Sequence, residues 1–207
     1  MRSFWLLVQV PLAARGPDFE GDIARLGVDV PHGAGFHDVI SGIAEALQHG
    51  FARAEHSADL GEIARLATLE SLTGLVAPDL PSLFAPNPGE VRRAFARFSR
   101  GDAFSELARE FFSRLTQKTL GYYLSRELAD HIDPDRRFAS QASRNDFEND
   151  LDVHCREVTR IIKEFAGGWL GKRVYRDGGL REQDAQAVLA VAFKKLNSEV
   201  QVRRNAD

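Results

Sequence analysis

Arg114, Lys118, Tyr122 and Arg126 recur at every fourth residue and so share one edge of any helix that carries them. Positive charge interleaved with an aromatic ring can follow a phosphate backbone or meet an acidic partner. Glu110 and Asp130 stand four residues outside the stripe at its two ends, where pairing with Arg114 and Arg126 would make the same residues a solvated helix face. A second basic and aromatic cluster, Trp169, Lys172, Arg173, Tyr175, Arg176 and Arg181, is expected in the loop joining the last two helices. Its composition is that of an interaction hot spot; the competing reading packs Trp169 and Tyr175 over the helix ends. From residue 151 onward eleven Lys or Arg stand against eight Asp or Glu, while the rest carries sixteen against twenty-two, so positive charge concentrates in the C-terminal third.

Asp146, Asp150 and His154 also fall four apart along one helix edge, where a metal site or a general base could be assembled. By helical angle His154 lies within the apolar arc, so a core-edge imidazole hydrogen-bonded to Asp150 is expected instead. A metal would need a further ligand, and His131, Asp133 and Asp135 are the nearest in sequence. His49 and His56, with Arg53 between them, share a polar face but lie roughly 10 Å apart along the axis, too far to hold one ion together. Gly33-Ala34-Gly35 precedes a helix as phosphate-cradling loops do. The third glycine of a dinucleotide fingerprint would fall at Asp38, however, and no alternation of strands and helices surrounds the segment, so a flexible helix entry is the reading adopted. Cys155 is the only cysteine, which excludes an internal disulfide and a multi-cysteine zinc site. It sits on an apolar helical face, where thiols are inert packing groups. No cofactor is implied.

These residues need a scaffold, and 207 residues with 43% hydrophobic and 28% charged side chains suffice for a packed core. The net charge of −3 is far from the basic character of a protein that coats nucleic acid, although a local patch remains compatible with it. Arginine outnumbers lysine 22 to 5 and alanine reaches 26, a bias that a GC-rich bacterial genome would produce. The N-terminal run Phe4-Trp5-Leu6-Leu7-Val8-Gln9-Val10-Pro11 follows a positive start as a signal peptide would, but Gln9 and Pro11 interrupt a run that is already short. No stretch approaches the roughly 18 to 20 apolar residues of a membrane helix. A cytoplasmic location is expected.

Residues 3 to 10 are apolar on both faces and predict a buried strand, with 28–30, 173–175 and 200–202 as candidate mates in a small sheet. Phe36, Ile40, Ile43, Leu47 and Phe51 predict a helix to about residue 54, and Leu60, Ile63, Ala64, Ala67, Leu72 and Leu75 a second one. Pro78, Pro81, Pro86 and Pro88 make 76–88 a loop, in which Leu83-Phe84 could serve as a docking feature. Asn87 as N-cap and Pro88 at the first helical position predict a helix through Val91, Phe95 and Phe98, ended by Gly101. Asp102 caps a long helix to about His131, with a change of apolar phase near 116–121. Ser143 opens the next, whose stripe of Phe147, Leu151, Cys155, Val158, Ile162 and Phe165 is expected to stop at Gly167-Gly168. A last helix from about 181 to 200 turns Ala185, Leu189, Ala192, Phe193, Leu196 and Val200 inward and leaves Val191 on its other side.

The expected fold is therefore mainly α, a multi-helix globular bundle with a small N-terminal β element, as a single helical domain over 1–207. A subdivision would fall into 1–77, a Pro-rich linker 78–88, and a bundle 89–207. Long helices with two-sided apolar faces predict a non-catalytic subunit or adaptor in a multi-protein assembly, bound to a protein partner or to itself, with no membrane. A nucleic-acid-binding module using either basic surface is the alternative, followed by a metal-dependent enzyme at Asp146, Asp150 and His154.

Overall fold

The expected N-terminal strand is a helix, α1 (Arg2–Ala13), and among the described residues of the computed structural model there is no strand at all. The structure describes residues 1–51, 58–81, 85–128, 140–176 and 180–204, without the side chains at 50, 51, 58, 125–128, 175, 176 and 199–204. A run that is apolar on every side satisfies a doubly covered strand or a helix enclosed all round, and periodicity cannot separate them. Enclosure decided it: Phe4, Leu6, Leu7, Val8 and Val10 are all buried, and α1 packs against α2, α3, α4, α5 and α9. Pro11 is tolerated in the last turn, where its missing N–H leaves only one carbonyl without its helical donor.

Around α1 lie α2 (Phe19–Arg25), α3 (Phe36–Phe51), α4 (Ala58–Val76) and α5 (Pro88–Arg97), followed by α6 (Gly101–Leu128), α7 (Gln141–Val158), α8 (Arg160–Arg176) and α9 (Glu182–Arg204). The proposed mates of the strand are accounted for differently. Val28-Asp29-Val30 lies against α3, where a Cβ on Gly42 would come within 2.6 Å of the Asp29 carbonyl oxygen, so glycine is what lets that segment approach. Residues 173–175 belong to α8 and 200–202 to α9. The short α2 was not anticipated; Asp18 caps it by accepting from the Gly21 N–H at 3.0 Å, and Phe19 and Ile23 form its buried edge.

α5 starts as expected and with more than the N-cap alone. The Asn87 side chain accepts from the Glu90 N–H at 3.0 Å, while Glu90 accepts from the Asn87 N–H at 2.9 Å, a complete capping box. α7 is capped by Ser140 rather than Ser143, whose N–H it receives at 3.2 Å.

The boundary between α7 and α8 is the second correction. The chain breaks at Thr159, whose hydroxyl donates to the Cys155 carbonyl oxygen at 2.8 Å, and α8 then runs straight through Gly167-Gly168. The glycines mark a helix crossing instead of a helix end. At Gly167, α8 meets the start of α6 so closely that a Cβ would lie 2.5 Å from Ser105 Oγ and 2.6 Å from the Gly101 carbonyl oxygen. α6 and α8 are antiparallel along this seam, with Phe104 against Trp169, Glu106 paired with Lys163 at 3.2 Å, and Arg109 donating to the Arg156 carbonyl at 3.0 Å.

Among the described residues the buried core is one contiguous cluster to which every helix except α7 contributes. At its centre the Phe4 ring lies 5.7 to 6.4 Å from the rings of Phe104, Phe111, Phe112 and Trp169. A second aromatic group joins Phe95 to Phe19 at 5.9 Å and to Phe36 at 6.0 Å, tying α5 to α2 and α3. On α9, Ala185, Ala192 and Leu196 turn inward, whereas Phe193, expected inside, is 47% exposed, with its ring 5.8 Å from that of Phe112. Val191 is likewise exposed. No helix of the described residues is long and apolar enough to cross a membrane.

Candidate anion-binding cleft

The stripe on α6 faces α4. Arg114 pairs with Glu110 at 2.7 Å and with Glu70 at 3.0 Å, Lys118 pairs with Glu70 at 2.7 Å, and the Tyr122 hydroxyl donates to Asp59. Low numbers on α4 meet high numbers on α6, so the two helices are antiparallel and the stripe acts as a polar clasp between them. Arg126 lies in α6 with its side chain outside the described residues. Partial burial pushes the Glu70 carboxyl up, but the hydrogen bonds and charges of Lys118 and Arg114 together outweigh this and hold it below the usual range. A depressed carboxyl stabilises the fold above its unfolded pKa, and that contribution is lost as pH falls through the folded value. The gap in melting temperature between the native chain and Glu70→Gln should therefore close as pH falls from about 5 towards about 3, read by thermal melts across that range.

The second predicted cluster lies on α8 rather than in a loop. Trp169 packs on Phe4 and Phe104, Lys172 is exposed, and Arg173 pairs with Asp184 of α9 at 3.4 Å. Tyr175 and Arg176 end the helix, their side chains outside the described residues, and Arg181 is exposed just before α9. Trp169 is thus packed, as the competing reading had it, but from within α8 and not from a loop over the helix ends.

His154 is exposed, as are Asp146 and Asp150, so the expected core-edge histidine is not found. Among the described residues no group of three or more His, Cys, Asp or Glu could hold a metal ion. His131, Asp133, Asp135, Arg53, His56 and Leu83-Phe84 lie outside the described residues. Cys155 is fully buried on α7, and desolvation, reinforced by the nearby Asp152 charge, pushes its thiol up to about 11. Native protein at pH 8 should react with a disulfide reagent such as Ellman's only on the timescale of unfolding, and stoichiometrically once denatured; immediate reaction would contradict this burial.

At Gly33-Ala34-Gly35 the backbone donors are already engaged. Glu20 Oε1 accepts from the Gly33 and Ala34 N–H groups at 2.9 and 3.2 Å, and Asp38 accepts from Gly35 at 2.8 Å. A carboxylate of the chain itself occupies the position that a phosphate would take in a cradling loop, and so joins α2 to the start of α3.

One arginine-lined concavity was not singled out by sequence reasoning. A cleft of about 600 Å³ lies where the end of α1 meets α5, lined by Ala14, Arg15, Arg92, Arg93, Ala96, Arg97, Ser99 and Arg100. Arg15 sits in the turn after α1, anchored by its N–H on the Leu12 carbonyl at 3.1 Å, and Arg100 in the turn after α5, anchored on the Arg97 carbonyl at 3.3 Å. Arg92 donates to the Gly16 carbonyl at 2.8 Å, which ties α5 to that first turn without neutralising its charge. Asp79 receives Arg97 on both carboxylate oxygens at 2.5 Å, and this partner raises the Arg97 pKa further. Among the described residues Arg15, Arg93 and Arg100 have no ion-pair partner, and no carboxylate lines the cleft. The signal was legible as Arg92, Arg93, Arg97 and Arg100 within one short segment, but Arg15 joins them only through the packing of α1 on α5. The chain matches no family model, no curated protein and no solved structure.

Proposed function

We propose that the chain is a non-catalytic helical adaptor that holds an anionic segment of a partner protein in the cleft between α1 and α5. The observation that carries this reading is that five arginines and no carboxylate line one space, in a chain whose net charge is −3. Like charges brought together cost free energy in the unbound protein, and an anionic partner relieves that cost while steering the encounter. Nucleic acid is the second candidate partner. A protein segment is favoured because, among the described residues, Ala14, Ala96 and Ser99 are the only others in the lining, which offers no ring on which a base could stack.

The experiment is affinity isolation of the gently purified chain beside the variant Arg93→Glu with Arg100→Glu, with mass spectrometry and absorbance at 260 and 280 nm. A defined protein that is retained at low salt, released by high salt and lost from the variant is the expected result. Nucleic acid released by salt would instead favour the alternative. A protein partner held equally by both forms would move the interface away from this cleft.

A further inference from the structure

We propose that the outward side of α9 docks a second copy of this chain, α9 against α9 and antiparallel. The inward side of α9 is made by Ala185, Val188, Ala192 and Leu196, all buried. On the opposite side Gln183, Ala187, Ala190, Lys194 and Asn197 follow one another at alternating steps of four and three, the spacing that keeps one line of a helix turned towards a neighbouring helix. All five are exposed, and Val191 and Phe193, at 46% and 47% exposure, flank that line on its two sides. A helix face left to solvent is ordinarily charged. α7 and α8 follow this rule, with Asp146, Asp150 and His154 exposed on the first and Arg160, Lys163, Glu164 and Lys172 on the second. Between residues 183 and 193 of α9, in contrast, no exposed residue carries a charge. The exposed charges of the helix stand at its two ends, Glu182 at one and Lys194 and Lys195 at the other. A centre depleted of charge inside a charged rim is the anatomy of a surface that meets another protein.

The charges select both the occupant and its direction. With Ala187 set against the partner's Ala190 in an antiparallel pair, Lys194 and Lys195 come opposite the partner's Gln183 and Glu182, and the two-fold axis repeats the match at the other end. A parallel pair would set each lysine against its own copy, which like charge opposes. The two alanines at the centre let the helices approach closely, and Val191 and Phe193 cover the sides of the contact. From residue 183 to residue 197 the face is about 22 Å long. One helix face of that length belongs with small, transient interfaces of less than about 1,200 Å² in total, so the dimer is a weak and reversible one. This face is separate from the cleft between α1 and α5, and the two readings stand or fall independently.

The test is sedimentation equilibrium of the full chain over concentrations from about 5 to about 500 µM, with a monomer–dimer Kd of about 10–100 µM expected. Ala190→Glu places two carboxylates at the centre of the pair and should leave only monomer; the position is exposed and glutamate is a good helix former, so the variant keeps its fold, as circular dichroism will show. Lys194→Glu should weaken the dimer by about tenfold, and adding Glu182→Lys to it should restore the affinity. A native chain that stays monomeric throughout the range would overturn the proposal. A dimer that persists in Ala190→Glu would place the interface elsewhere on the molecule, and loss in Lys194→Glu without recovery on adding Glu182→Lys would overturn the antiparallel arrangement.

Discussion

Phe4→Ala will lower the free energy of unfolding by about 3–5 kcal/mol, read from urea denaturation followed by tryptophan fluorescence. The ring is 1% exposed and lies within 6.4 Å, centroid to centroid, of Phe104, Phe111, Phe112 and Trp169, so its removal leaves a space walled by four other rings. Rigid aromatic walls collapse poorly into such a space, which places the cost towards the upper end of the range for large-to-small changes. Against a total stability of about 5–15 kcal/mol for a domain of ordinary kind, this is a large share. The neighbouring Ser3 is the contrast. Its hydroxyl is buried with no hydrogen-bond partner among the described residues, so Ser3→Ala should raise stability by about 1 kcal/mol. A loss on Ser3→Ala as large as that on Phe4→Ala would mean that α1 is not enclosed in the way described.

Gly167→Ala will destabilise by about 2–3 kcal/mol, because the added methyl group has no room at the α6–α8 crossing. Two of its three nearest atoms belong to the backbone of Gly101, at 2.6 and 2.9 Å, so no rotation of a flexible side chain can make space and the helices must separate. Gly168 is the internal control. It is exposed, and a Cβ there meets nothing within 4 Å, so Gly168→Ala replaces a poor helix former by the best one and should stabilise by about 0.5–1 kcal/mol. Opposite signs at adjacent glycines, measured in parallel denaturation curves, are the signature of a continuous helix that crosses α6. If the two glycines ended a helix, both alanine variants would lose stability.

Phe4, Gly167 and Arg15 mark the limits of what the linear pattern could express. The helices α3, α4, α6 and α9 with most of their apolar stripes, though not Leu60, Leu120 or Phe193, and the Asn87-Pro88 start of α5, were legible because each rests on local spacing or a local cap. That the chain is helical over most of its length, and that Cys155 is buried, followed from the same periodicity. Local spacing could not tell a strand covered on two sides from a helix covered on all sides, and only the arrangement of the other helices around residues 2 to 13 made the second the case. Nor could it tell a glycine that ends a helix from one that admits a neighbour, since both positions exclude a side chain and the difference lies in Gly101, more than sixty residues away. The stripe from Arg114 to Tyr122 reads as an open basic face until α4 brings Glu70 and Asp59 against it. The converse holds for the arginine cleft, where an unremarked segment of α5 acquires a concentrated positive charge once α1 delivers Arg15 beside it. Sequence alone determined most of the helices and much of their apolar faces, because backbone hydrogen bonding and side-chain periodicity act over a few residues. Tertiary structure decided which charges are cancelled and which remain, because ion pairing depends on distances in space that no local pattern encodes.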